Sequence, residues 1–88
     1  MAYKVVYKES VEKDLKGLSR DIKVKIIDSI ENDLAIDPQG KGKQLKGNWQ
    51  GLLRYEVRPH RVIYAIFEAE QTILIIRIGH RKDVYRKR

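Results

Sequence analysis

Five arginines, Arg54, Arg58, Arg61, Arg77 and Arg81, stand in or beside strand-like runs in the second part of this 88-residue chain. Guanidiniums gathered on one concave sheet repel one another unless an anion neutralises them. A guanidinium also forks onto phosphate oxygens through two parallel hydrogen bonds. Phosphate is therefore the guest these residues suit. The plain alternative is surface ion pairing with Glu56 and Asp83, which leaves the arginines no further task. His80 sits between Gly79 and Arg81, where an imidazole can pass protons near neutral pH. It can equally do no more than end a strand, and spacing does not choose. Tyr85 can stack on a base, donate its hydroxyl to phosphate, or anchor the tail by packing.

The remaining candidates are weaker. "KGKQLKG" (41–47) is a glycine-lysine loop whose Lys41, Lys43 and Lys46 suit backbone phosphates. It lacks the GxxxxGK[ST] pattern, so it predicts no nucleotide P-loop. Trp49 reads as a packing residue, with base stacking as the alternative. His60 reads as a solvent-exposed turn residue. Two histidines, no cysteine and scattered carboxylates predict no metal site, and no serine-based triad is visible.

Charge and length narrow the classes. The net charge is +7, and all of it lies in one part of the chain. Residues 1–36 hold seven Lys and Arg against seven Asp and Glu; residues 37–88 hold twelve against five. A segregated excess predicts a positive face, for which nucleic acid is the commonest partner. A solvated basic surface is the alternative. The length predicts one domain, 1–88, that hides roughly 60–65% of its unfolded surface. The absence of cysteine fits a reducing compartment. No charge-free apolar run approaches the roughly 18 residues that span a bilayer. The start, "MAYKVVYKES", has no long apolar stretch. The expectation is a cytoplasmic protein with no membrane contact.

These side chains need a frame. "YKVVYK" (3–8) is a β-rich run and predicts a first strand. Ser10 then offers a cap, and Val11, Leu15 and Leu18 recur at helical spacing. Ser19 offers a second cap, with Asp21 in the positive first turn. Ile22, Ile26, Ile30 and Leu34, widened by Ile27, predict an amphipathic second helix. "DPQGKGK" (37–43) stops it. The period then changes to two. "LLRYEV" (52–57) and "RVIYAIF" (61–67) predict a hairpin turning on Pro59 and His60. That turn pairs Arg58 with Arg61, Glu56 with Ile63 and Arg54 with Ala65. It puts Arg54, Glu56, Arg58 and Arg61 on one face, and Leu53, Tyr55, Val57, Val62, Tyr64 and Ile66 on the other. "TILIIRIG" (72–79) predicts a central strand covered on both sides. The expected fold is α+β: a strand, a two-helix hairpin, then antiparallel strands in one twisted sheet with the helices on one face.

The segments "LKG…LLRYEVRPHRVIYAIF…ILIIRIGHRKDVYRK" closely resemble the RelE toxin family of the RelE/ParE superfamily, over nearly the whole chain. "HRVIY" followed by "RIGHRKDVY" is the specific part. The resemblance implies a RelE-like fold and the cytoplasmic toxin of a type II toxin–antitoxin pair. Such toxins enter the ribosomal A site, against 16S rRNA, and cut mRNA there without a metal or other cofactor. The 2′-hydroxyl of the mRNA attacks the adjacent phosphate, giving a 2′,3′-cyclic phosphate and a 5′-hydroxyl end. A cognate antitoxin is the implied partner, and through it the pair binds operator DNA. By position, Arg61 matches the family's central phosphate-binding arginine. Arg81 matches a second active-site arginine, and Tyr85 the tyrosine of the tail. Arg54 falls where some members carry a basic residue, and Arg58 and Lys82 join the loop lysines as RNA contacts. Glu56 departs from members with a second basic residue there. A related branch uses a loop carboxylate near Gln44 and a C-terminal histidine; here the loop has glutamine. The general base stays open between His80, Glu56 and a solvent route. Two other functions fit the same fold: a ParE-like inhibitor of DNA gyrase, and an RNA-binding module without catalysis.

Overall fold

A computed structural model describes residues 2–85 of the chain. Strand β1 (Lys4–Tyr7) leads into helices α1 (Val11–Lys16) and α2 (Arg20–Asn32). A 3₁₀ turn (Leu34–Ile36) and a short helix α3 (Pro38–Lys41) follow. Strands β2 (Lys43–Gln44), β3 (Leu53–Val57), β4 (His60–Phe67) and β5 (Thr72–His80) complete one sheet, ordered β1-β5-β4-β3-β2. Strands β2 to β5 pair antiparallel, while β1 runs parallel to β5. The α+β class and the one-sided helices are as expected; the parallel β1 makes the sheet mixed.

The helices form where spacing places them, with local differences. Ser19 is extended and its hydroxyl accepts from the Ile22 amide at 3.4 Å, capping α2. Ser10 is itself helical and its side chain caps nothing, so the expected cap on α1 is absent. Val11, Ile26, Ile30 and Leu34 are fully buried, and each contributes roughly 1.5–3 kcal/mol by leaving water. Ile22 begins the stripe but is exposed, beyond the reach of the sheet. Leu34 keeps its buried place although α2 ends at Asn32, because the 3₁₀ turn carries it inward. Residues 37–43 do more than stop a helix. Pro38 opens α3, and the Asp37 carboxylate accepts from the Gly40 amide at 3.1 Å. The Tyr64 hydroxyl then donates to the Pro38 carbonyl at 2.6 Å. A Cβ at Gly42 would fall 1.8 Å from that hydroxyl, so this crossing needs glycine.

The β3–β4 hairpin turns one residue earlier than predicted. Arg58 and Pro59, joined by a cis peptide bond, make the turn, and Val57 pairs with His60. Proline has no N–H to give a ladder, whereas His60 has one. The pairs are therefore Glu56 with Arg61 and Arg54 with Ile63, and Arg58 leaves the ladder. The predicted faces survive because the partners slip by two residues, and side chains alternate with a period of two. β5 lies inside the sheet as expected, but it is not covered on both sides. Ile73, Ile75 and Ile78 are buried under the helices, while Leu74 and Ile76 on the same strand are only half-buried.

Candidate functional site

Two cross-strand rows define the face of the sheet away from the helices. One runs Arg77–Ile63–Arg54, the next Gly79–Arg61–Glu56. Glu56 is the hub of the second row. Its Oε1 lies 3.3 Å from Arg61 Nη2 and 3.7 Å from Arg54 Nη1, and its Oε2 lies 3.6 Å from Arg58 Nε. Surface pairing of the arginines with Glu56 is thus real, yet three cations share one carboxylate. Two positive charges remain uncompensated in this group. Arg54 and Arg61 are held close to the sheet, with side chains 26% and 21% exposed, while Arg58 at 88% reaches into solvent. Among the described residues, the Nε of Arg61 is buried without a hydrogen-bond partner. An unpartnered donor on a cation is costly to keep buried.

The C-terminal segment closes over this face. The His80 carbonyl accepts from the amides of Asp83 (2.8 Å) and Val84 (2.9 Å), which bends the chain back. Val84 is buried against Gly79, 3.6 Å from where a Cβ would sit. Arg77 Nη1 donates to the Val84 carbonyl at 2.7 Å. Tyr85 then lies beside Arg61, whose guanidinium carbon is 5.9 Å from the ring centre. Trp49 meets Tyr85 edge-on at 5.6 Å, and Arg77 sits over the Trp49 ring at 5.2 Å. Cation, phenol, indole and cation form one continuous row. Ile63 and Val84 are buried here, outside the main core cluster. Through Tyr85 the closing stretch is therefore part of the folded face; Arg86, Lys87 and Arg88 lie outside the described residues. The packing reading of Trp49 holds.

The two histidines part company with the arginines. His60 is 8% exposed, not the solvent-facing residue expected, because the alternation of Val62 and Tyr64 continues to it. His80 stands opposite His60 on the helix-side face, with ring centres 5.9 Å apart at 76°. Arg61, one residue on, points the other way. The structure does not bring His80 to Arg61, because strand alternation forbids it. The Nδ1 of His80 instead accepts from the Lys82 amide at 3.2 Å. Burial, and then the His80 charge, lower the pKa of His60 from its ordinary value.

The other expected contacts lie around the rim. Arg81 and Lys82 are exposed, and the Arg81 amide donates to the Pro59 carbonyl at 3.0 Å, at the same end of the sheet as Arg61. Lys41 Nζ is 2.8 Å from Asp33, and that bond raises the Lys41 pKa. Lys41, Lys43, Arg54 and Arg58 line a cleft of about 270 Å³ with Tyr55 and Glu56. Lys46 lines a larger cleft of about 510 Å³ within loop 44–53, which holds no other cation. The smaller cleft is the one whose chemistry suits phosphate. Among the described residues, no three of His, Asp and Glu converge as a metal ion would require. Sequence reasoning missed the joint grip on Glu56 and the burial of Val84. An apolar residue recurring inside the basic run "HRKDVYRKR" was the available signal for the latter.

Over residues 5–85 the chain matches the family described as the ParE toxin of type II toxin–antitoxin systems. It belongs to that family and is a type II toxin of the RelE/ParE superfamily. The toxin RelG of Mycobacterium tuberculosis is 29% identical over 87 residues, covering 99% of this chain and 100% of RelG. The toxin RelE of the same organism is 29% identical over 84 residues, covering 96% and 87% of the two chains. A chain of the M. tuberculosis RelBE2 toxin–antitoxin complex superposes with a TM-score of 0.88 at 26% identity, over 94% of this chain and 95% of that one. The isolated E. coli RelE toxin shares the fold, with a TM-score of 0.74 at 16% identity, over 98% and 88% of the chains.

Proposed function

We propose that this toxin is a ribosome-dependent, metal-independent endoribonuclease that cuts mRNA in the ribosomal A site. The observation that carries this reading is the half-buried Arg61, with its orphaned Nε, beside Arg54 and under Tyr85. In cleavage by 2′-hydroxyl attack the phosphorus becomes five-coordinate and gains negative charge. Fixed guanidiniums aimed at that charge stabilise it more than they stabilise the ground state. Holding the 2′-oxygen in line with the leaving 5′-oxygen supplies much of the rest, and the ribosome can do part of that holding. Arg61 and Arg54 would grip the scissile phosphate, with Arg81 as a second cation and Tyr85 ordering the neighbouring nucleotide. Lys41, Lys43, Lys46, Arg58 and Lys82 would meet flanking mRNA or 16S rRNA phosphates. The toxin would act in the cytoplasm and be neutralised by a cognate antitoxin, through which the pair binds operator DNA. No helix among the described residues is long and apolar enough to cross a membrane.

A second reading is ParE-like inhibition of DNA gyrase, favoured by the description of the matching family. Two assays on the purified protein separate them. A-site toeprints in a cell-free translation reaction, with supercoiling by gyrase intact, are the expected result. Lost supercoiling without toeprints transfers the protein to the ParE-like class.

A further inference from the structure

We infer that Glu56 is the proton acceptor for the attacking 2′-hydroxyl, held by the arginines until a phosphate takes them from it. The inference rests on the nuclease reading above. Glu56 and Arg61 are a direct cross-strand pair, so their side chains leave the sheet side by side on one face. His80 is on the opposite face against His60, and Gln44 carries no titratable group. Glu56 is therefore the carboxylate that the fold builds into the arginine group itself.

Its three ion pairs are loose. Charge-assisted bonds from a guanidinium run to about 2.7–2.9 Å, whereas these contacts span 3.3 to 3.7 Å. The carboxylate is also 36% exposed, so a substrate can reach it and each pair contributes little. A phosphodiester offers two unbridged oxygens to the terminal nitrogens of Arg54 and Arg61 that now face Glu56. It competes for the cations that hold Glu56. Once they turn to phosphate, the carboxylate is left beside the reacting ribose, free of the ion pairs that held it. The arginines thus hold the base in place and release it when substrate is seated.

The step balances. The Glu56 carboxylate takes the 2′-hydroxyl proton as the 2′-oxygen bonds to phosphorus. The bond from phosphorus to the 5′-oxygen breaks, and the electron pair leaves with that oxygen, which takes a proton from water. The products are a 2′,3′-cyclic phosphate and a 5′-hydroxyl. Glu56 returns its proton to water afterwards.

The test is single-turnover cleavage by the full chain on ribosomes programmed with a short mRNA, with binding measured separately. Glu56→Gln keeps shape and hydrogen bonding but cannot take the proton. Its cleavage rate at saturation should fall about 10²–10⁴-fold, while its affinity for programmed ribosomes is unchanged or higher, since a negative charge is removed. Formate added to Glu56→Ala should restore part of the rate, and chloride at equal ionic strength should not. Formate should do nothing for Arg61→Ala. Circular dichroism checks that each variant is folded. Glu56→Gln cleaving at the unaltered rate would make Glu56 a counter-ion and overturn the inference. So would a slow Glu56→Ala that formate leaves slow, since its role would then be positional. In both cases cleavage by the unaltered protein keeps the nuclease reading standing. No cleavage by the unaltered protein overturns both.

Discussion

On the helix side of the sheet, Val62, Tyr64, Ile73 and Ile75 are fully buried with Ile26 and Ile30, the tyrosine hydroxyls are tied to acceptors, and the His60–His80 pair sits at one end. On the other side, the cover is partial and comes from irregular chain. Trp49 arrives from a loop, and Val84 and Tyr85 arrive from the turn after β5. Against them sit Arg61 and Arg77, with Arg54 further along the same face, and among the described residues one buried donor is unpartnered. The first face is filled by volume and asks nothing of charge. The second leaves cations close together, an arrangement that self-repulsion disfavours and an anion repairs. Stability and the proposed activity should therefore map to opposite faces.

The largest effect expected on the first face is from Ile30→Ala. Removing a fully buried side chain should cost about 2–5 kcal/mol of a total that is typically about 5–15. Urea unfolding measures it, and cleavage per folded molecule should not change. Arg61→Ala should do the reverse. Single-turnover cleavage on ribosomes should fall roughly 10²–10³-fold, the usual loss for one transition-state donor, while the urea midpoint moves little. Cleavage within about threefold of the unaltered protein would remove Arg61 from the mechanism and the comparison with it. Val84→Ala tests the seam between the faces. It should cost about 1–2 kcal/mol through its lost packing on Gly79. It should also slow cleavage, because the same turn delivers Tyr85 to Arg61. If stability falls and cleavage per folded molecule holds, the turn is cover and nothing more.

How much of this was legible follows the same division. The apolar period of 3.6 in α2 and of two in β3 and β4 named the packed face almost residue by residue, because burial is a local pattern there. Even the slipped hairpin kept its faces. What the pattern lacked was the ladder's own chemistry: Pro59 cannot donate, so His60 belongs to β4 and not to the turn. The parallel pairing of β1 with β5 joins residues nearly 70 apart, and no local signal carries it. The outer face was legible as a set of arginines but not as an assembly. The shared grip on Glu56 depends on register, and the Trp49–Tyr85 contact joins two loops. The two readings of His80 could not be separated by its neighbour Arg81 in sequence; strand alternation sets it on the face opposite Arg61.

The smallest expected effect concerns His60 and tests whether the helix-side face is as indifferent to charge as it looks. Burial, and then the nearby His80, lower its pKa from the ordinary 6.5. The unfolded chain therefore binds this proton more readily than the folded one. Wherever the unfolded state holds more protons, stability rises with pH. The contribution from His60 is thus fully present above the unfolded value and is lost as pH falls from there towards the folded one. Asp33 has its own, lower window: the bonds from Lys41 and then Tyr55 lower its pKa, so its contribution is present at neutral pH and fades as pH falls through the carboxylate range. Urea midpoints taken from about pH 8 to about pH 5 separate the histidine window from that of Asp33. The unaltered protein should lose stability over the lower half of that range, and His60→Gln, which cannot titrate, should show a shallower fall. An equal slope in the variant would assign the loss to other groups. It would also mean that the proton enters at His60 without cost, so that this end of the packed face opens to water more readily than its burial implies.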